Sequence, residues 1–374
     1  MGQIRRNFPA YRTIGLARNV RIHSRCWTRI PQTVRKHPVI LVTGGVGYIG
    51  SHLCVALAEA GLPFLILDNF SNARRSVLQR LEKILGFAPP CIDADVRDTA
   101  MLEQLFDEQH FDAVIHNAFL TSSADAAREP LRYYDNNVSG TVGLLRAMQT
   151  AGIRNLIVSS SAIVYGDTPA MPVREDAQVC ASTPYGQTAL MVEQVLSSLD
   201  EASPKRWRMA LLRSFNAVGC HESGLIAEDP PRMSTHVAPY LAQVAAGKRD
   251  CLRIFGNDYA TPDGSPVRDY LHVTDLARAY VATLHYLRGH AGLLKLNIGS
   301  GQPTSVLGLV RAFEHANGRA VPFRVGPRRN GDAAHCWADI SQARALLGWQ
   351  PQLGLDRMME DVWRWQIGMG RSVH

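Results

Sequence analysis

A chain of 374 residues, 46% hydrophobic and 20% charged, has ordinary globular composition and is long enough for one large α/β domain or two lobes; a fibrous or disordered class is excluded. It contains no apolar run of about eighteen residues, so neither a membrane span nor a membrane partner is expected. The net charge of +7 is a property of one end: Arg5, Arg6, Arg12, Arg18, Arg21, Arg25, Arg29, Arg35 and Lys36 precede the first acidic residue, Glu59, and the remainder carries −2, which removes the support for a basic nucleic-acid groove.

Residues 1–37, Arg-rich and acid-free, form a basic leader outside the expected fold, and its composition suits a transit peptide, a surface-binding arm or a natural start further on, near Val34 or Val39. Val39-Ile40-Leu41-Val42 then reads as a buried strand, and Ile49, Leu53, Ala56, Leu57 and Ala60 recur on one helical face that ends at Gly61. Phe64-Leu65-Ile66-Leu67, Ala113-Val114-Ile115-His116, Leu156-Ile157-Val158-Ser159 and Met209-Ala210-Leu211-Leu212 are further strands separated by helix-length segments. This alternation predicts a Rossmann-type, doubly wound parallel α/β sheet over 38–213. Beyond it, Pro- and Gly-bearing stretches such as Asp229-Pro230-Pro231 and Gly256–Pro266 indicate a smaller α/β substrate lobe over 214–374, with some segments returning to the first domain. Seven scattered cysteines (Cys26, Cys54, Cys91, Cys180, Cys220, Cys251, Cys336) with no C-x-x-C pair argue for reduced thiols and a cytoplasmic setting. No two histidines sit at ligand spacing together with a cysteine or carboxylate cluster, so no metal is expected.

The turn between the first strand and helix, Thr43-Gly44-Gly45-Val46-Gly47-Tyr48-Ile49-Gly50, satisfies G-x-G-x-x-G at Gly45, Gly47 and Gly50. Glycines there permit a tight turn and close approach to a pyrophosphate, which free backbone N–H groups and the positive helix end would hold. Asp68 ends the second strand eighteen residues after Gly50, placed to accept from ribose hydroxyls; its charge disfavours a 2′-phosphate, so NAD is expected rather than NADP.

From Val39 to Trp365 the spelling resembles the UDP-glucose 4-epimerases of the extended short-chain dehydrogenase/reductase family. The resemblance rests on the run from Leu41 to His52, Leu67-Asp68-Asn69, Tyr133-Tyr134-Asp135-Asn136-Asn137-Val138, Ser159-Ser160-Ser161-Ala162, Val164-Tyr165-Gly166-Asp167, Phe255-Gly256-Asn257-Asp258-Tyr259 and Arg268-Asp269-Tyr270-Leu271-His272-Val273. It implies a bound NAD that takes and returns a hydride at the sugar's C4, with Tyr185 removing the proton of the 4-hydroxyl and Ser161 relaying it. By the same resemblance Gly44, Gly47, Tyr48, Ile49, Gly50, Asp68, Asn69, Asp95, Val96, Ala118, Asn136, Ser161, Tyr185 and Phe215 surround NAD. A UDP-sugar would meet Asn216 (sugar and phosphate), Phe255 (uracil), Arg268 and Arg329 (diphosphate), Asp332 (ribose) and Cys336, whose small side chain suggests room for an N-acetyl group. The resemblance also implies a homodimer that pairs the Tyr185 helix with the one beginning near Pro130, with Leu144, Leu145, Met148, Leu190, Val192 and Leu196 supplying core and interface.

The pattern breaks where chemistry is concentrated. Tyr-x-x-x-Lys reads Tyr185-Gly186-Gln187-Thr188-Ala189, so the cation one helical turn from the tyrosine, which favours phenolate, is absent. Phe-Ala-Gly-Leu-Lys reads Asn117-Ala118-Phe119-Leu120-Thr121, Tyr-Phe-Asn reads Ser214-Phe215-Asn216, and an asparagine pair reads Thr235-His236. Two functions stay open: a slowed UDP-hexose 4-epimerase, or a non-catalytic NAD(H)-binding protein of the same family. A nucleic-acid binder rests on the leader alone.

Overall fold

The computed structural model describes residues 39–168, 170–229, 236–329 and 332–368; the leader, Pro230, Pro231 and Thr235 lie outside them. Strand β1 (Val39–Thr43) is buried at every position, which is why its sequence is a continuous apolar run rather than an alternation. After the glycine turn come α1 (Tyr48–Glu59), β2 (Phe64–Asp68), α2 (Ser76–Leu85), β3 (Cys91–Asp93), α3 (Thr99–Glu108) and β4 (Phe111–His116). The chain continues through α4 (Ser123–Arg128), α5 (Pro130–Tyr133), a π-helical turn (Tyr134–Ser139), α6 (Gly140–Ala151), β5 (Asn155–Ser161), α7 (Pro184–Ala202) and β6 (Arg208–Ser214).

β7 (Asn216–Val218), α8 (Val237–Ala245), β8 (Leu252–Phe255) and β9 (Val267–His272) open the second part. They are followed by α9 (Val273–Gly289), β10 (Gly292–Ile298), β11 (Pro303–Ser305), α10 (Val306–Asn317), β12 (Phe323–Gly326), β13 (His335–Cys336), α11 (Ser341–Leu347) and α12 (Leu355–Gly368).

Seven parallel strands form the main sheet in the order β3-β2-β1-β4-β5-β6-β10. The order reverses between β1 and β4, so the crevice where an α/β sheet binds its ligand opens above the ends of these strands, at Gly44 and Asn117. Two apolar clusters lie on opposite faces of this sheet: Ile40, Val42, Leu53 and Ile66 belong to one, Val39, Leu41, Leu65 and Leu67 to the other. β3 is only three residues long and β10 arrives after the second lobe has begun, so neither stands out as an apolar run in sequence order. The smaller part is built around β9, whose first half pairs with β11 and β13 and whose second half pairs with β7, with β8 and β12 as a separate parallel pair.

Leu144, Leu145, Met148, Val192 and Leu196 are all buried in the core beneath the sheet, so they supply packing and offer nothing to a partner; Leu190 is half-buried. On the same helical layer Leu131 of α5 is 82% exposed and Met191 of α7 is 38% exposed. No helix among the described residues is long and apolar enough to cross a membrane.

Candidate active site

The glycine turn is shaped by contacts that only glycine tolerates. Gly44 has φ +69°, and a Cβ there would lie 2.6 Å from the carbonyl oxygen of Asn117; a Cβ on Gly50 would collide with the Gly44 carbonyl. Helix α1 starts without a side-chain cap on Gly47, which leaves the N–H groups of its first turn free for a ligand. A bare anion-binding helix start, over a turn that no larger residue fits, suits a dinucleotide's diphosphate.

Asp68 is 7% exposed, and its carboxylate holds the turn from the side: Oδ2 accepts from the Val46 N–H at 2.9 Å and Oδ1 from the Phe70 N–H at 2.8 Å. Burial raises its pKa while those two hydrogen bonds oppose the shift, and each oxygen keeps a lone pair for a ribose hydroxyl. Asn69 Nδ2 donates to Asp95 Oδ2 at 2.9 Å, and Asp95 is also gripped by Arg97, which together with Asn69 lowers its pKa to about 2. Val96 is buried against Gly140 and Ile49 packs partly on the core. Tyr48 sends its phenol to the Gly219 carbonyl at 2.8 Å, so what it offers the cradle is backbone.

On the far side of the crevice, Asn136 Nδ2 donates to the Ala118 carbonyl at 2.9 Å. Its neighbour Asn137 had no assigned role, yet it is the structural clamp of the site. Its Oδ1 accepts from the Leu120 N–H (2.9 Å) and its Nδ2 donates to the Leu120 carbonyl (3.0 Å) and to Thr188 Oγ1 (2.9 Å). One buried amide thus ties the loop after β4 to the helix bearing the tyrosine. The signal for it in the sequence is the doubled Asn136-Asn137.

Helix α7 begins on Thr183, whose side chain accepts from the Gly186 N–H, with Pro184 in the first turn. That start brings Tyr185 toward Ser161, the last residue of β5, whose hydroxyl acts on the phenol. Leu120, Ala126 and Tyr133 pack around the ring. Burial pushes the Tyr185 phenol up to about 12, with the Ser161 hydroxyl pulling the other way. No basic residue answers this: α7 contains neither lysine nor arginine. Ala189 is 5% exposed in an apolar cluster with Val164, Tyr165, Val173, Phe215, Ala338 and Ile340, and Cys336 packs against the same group.

The other departures are absorbed differently. Phe119 turns its ring onto His116, centroids 4.7 Å apart, and packs against the core. Thr121 is exposed; Ser214 Oγ donates to the Ser160 carbonyl at 3.1 Å. His236 Nδ1 meets Glu228 at 2.8 Å, and that carboxylate raises the imidazole pKa.

The residues expected on the substrate side form a second group around β9. Arg268 pairs with Asp332 through Nη2, and its strand neighbour across the ladder is Cys336. Arg329 lays its guanidinium over the Phe255 ring, 3.9 Å from the centroid. Asn216 Nδ2 donates to the Asp269 carbonyl at 2.9 Å. Asp269 is a second positioning residue missed in sequence: fully buried, it accepts from the N–H groups of Ser300, Gly301 and Ala338, and so fixes the segment after β10 and the segment after Cys336 to β9. Among the described residues no group of three or more His, Cys, Asp or Glu is placed to hold a metal ion.

Known proteins agree with this geometry. Residues 40–299 match the NAD dependent epimerase/dehydratase family. The chain is 48% identical over 327 residues to the UDP-glucose 4-epimerase of Neisseria meningitidis serogroup C, covering 87% of this chain and 96% of that protein. The crystal structure of the UDP-glucose-4-epimerase from Stenotrophomonas maltophila with bound NAD and formylated UDP-arabinopyranose superposes with TM-score 0.88 at 46% identity, covering 90% of this chain and all of that one. The enzyme from Bifidobacterium longum in complex with NAD+ and UDP gives 0.85 at 40% identity, over 88% of this chain and 98% of that one. A crevice built for a dinucleotide, a tyrosine seated on a strand-end serine and this extent of identity lead to one conclusion: the chain belongs to the UDP-glucose 4-epimerases of the NAD-dependent epimerase/dehydratase family.

Proposed function

We propose that this protein interconverts UDP-glucose and UDP-galactose in cytoplasmic galactose metabolism, at a rate reduced by the loss of the lysine one turn from Tyr185. The observation that carries the reading is the pairing of Tyr185 at the start of α7 with Ser161 at the end of β5, retained although the neighbouring cation is gone. When bound, NAD supplies the acceptor and donor of the C4 hydride. The protein's part is to move one proton: Tyr185 Oη takes it from the sugar 4-hydroxyl, and Ser161 Oγ holds that hydroxyl in line. With the phenol at about 12, only a minute fraction is ionised at neutral pH, which slows this step.

Substrate would be held from the second lobe. Arg268 and Arg329 face the diphosphate charge, Phe255 offers a ring to the uracil, Asp332 accepts from ribose hydroxyls, and Asn216 lies at the sugar. The small side chain of Cys336 supports acceptance of UDP-N-acetylhexosamines as well. Two copies would pair through α5 and α7, where Leu131 and Met191 are exposed.

The test is turnover of UDP-galactose by purified protein, with the bound nucleotide identified after denaturation. Slow formation of UDP-glucose, abolished by Tyr185→Phe, is expected. Bound NAD with no turnover at any pH would favour the second reading, a non-catalytic NAD(H)-binding protein, which the apolar packing of Ala189 supports.

A further inference from the structure

At the floor of the crevice one side chain is held in a single orientation with half of its hydrogen-bonding capacity unused. Asn117 follows β4, its N–H donates to the Thr43 carbonyl at 3.1 Å, and its own carbonyl presses on Gly44. Its side-chain Oδ1 accepts from Ser159 Oγ at 2.7 Å. Ser159 Oγ is also 2.6 Å from the hydroxyl of Tyr280, a residue of α9 with no exposure. Ser159 has one proton and gives it to Asn117, so Tyr280 must donate to Ser159. With Oδ1 as the end that meets Ser159, the donors run from Tyr280 to Ser159 to Asn117, and Nδ2 is turned away from Ser159. Asn117 Nδ2, with two N–H donors, has no protein partner among the described residues and belongs to a half-buried side chain beside the glycine turn. Ser159 and Ser161 lie two apart on β5 and so share a face: one orients Tyr185, the other Asn117.

We propose that Asn117 is a cofactor-binding residue, its Nδ2 donating to an oxygen of the diphosphate–ribose portion of NAD, with Ser159 and Tyr280 as the positioning residues that aim it. The inference rests on NAD as the cofactor. It assigns a donor to this chain at a position where its relatives' Phe-Ala-Gly-Leu-Lys pattern has an apolar ring, in a crevice that has also lost the lysines expected at Thr121 and Ala189. An amide supplies direction without charge, so its contribution is that of one neutral hydrogen bond.

The experiment is calorimetric titration of NAD and of ADP-ribose into nucleotide-free protein. Asn117→Leu should weaken both ligands about fivefold to tenfold, the effect of one neutral hydrogen bond. Asn117→Asp, which keeps the acceptor and replaces the donor by a carboxylate facing the diphosphate, should weaken them further. Ser159→Ala should weaken binding in the native background and add nothing to Asn117→Leu, because its effect passes through the amide. Native affinity in Asn117→Leu or Asn117→Asp, or a Ser159→Ala loss that multiplies with that of Asn117→Leu, overturns the proposal. If the unmodified protein fails to bind NAD, the cofactor assignment falls and takes this one with it, a result distinct from failure of the variants alone.

Discussion

Replacing Ala189 by lysine would restore a cation at the point where the site lacks one. Residues one helical turn apart have Cβ atoms about 5–6 Å apart, and a unit charge at about 6 Å in an effective dielectric of about 20 interacts with a phenolate by about 3 kcal/mol. That corresponds to about two pKa units, so a Tyr185 phenol now held at about 12 would be ionised about a hundredfold more often at neutral pH. The lysine stem would lie among Val164, Phe215 and Ile340, and the cost of bringing its ammonium into that apolar cluster subtracts from the gain. We therefore expect turnover to rise by about tenfold to a hundredfold. The sign in pH follows: a raised phenol pKa makes the native protein gain activity continuously as pH rises toward 12, and the variant should level off at lower pH. The assay is UDP-galactose conversion coupled to UDP-glucose oxidation, measured across the pH range in both proteins, with Tyr185→Phe as the inactive control. A folded Ala189→Lys protein with unchanged rate and an unchanged pH profile would refute the electrostatic argument.

Other perturbations test separate parts of the structure. Glu193→Gln should destabilise the fold by about 3–5 kcal/mol in denaturant unfolding, because Arg213, 2.7 Å away with both side chains 3% exposed, would be left as an uncompensated buried charge. Cys336→Tyr should suppress binding of UDP-N-acetylgalactosamine in calorimetry while leaving UDP-galactose binding within a few fold; equal loss of both would remove Cys336 from specificity. Light scattering of the native chain at micromolar concentration should report a dimer, and Leu131→Glu with Met191→Glu should shift it toward monomer without changing the circular dichroism spectrum; a monomeric native protein excludes the pairing. Asp68→Ala should reduce thermal stability as well as NAD affinity, since the buried N–H of Val46 loses its acceptor and that of Phe70 is left to solvent.

The amino-acid sequence by itself determined the parallel α/β sheet, because strands buried on both faces must be continuous apolar runs and β1, β2, β4, β5 and β6 all are. It also determined the glycine turn with Asp68, since a close backbone approach admits only glycine, while the missing cation at Ala189 became legible through the resemblance to the epimerases, whose motif places a lysine one helical turn from the tyrosine. Short β3 and late-arriving β10 escaped it: three residues carry no period, and a strand that joins its sheet after an intervening lobe has no local sign of its partner. Leu144, Met148 and Val192 carry an apolar pattern that suits a core or an interface equally, and only packing assigned them to the core. Asn137 with Thr188, Asp269 with Ala338, and the chain from Tyr280 through Ser159 to Asn117 join residues 51, 69 and more than 100 positions apart. Such pairings follow from hydrogen-bond satisfaction in the folded interior, where each buried donor and acceptor must find a partner in space, so tertiary structure alone decided them.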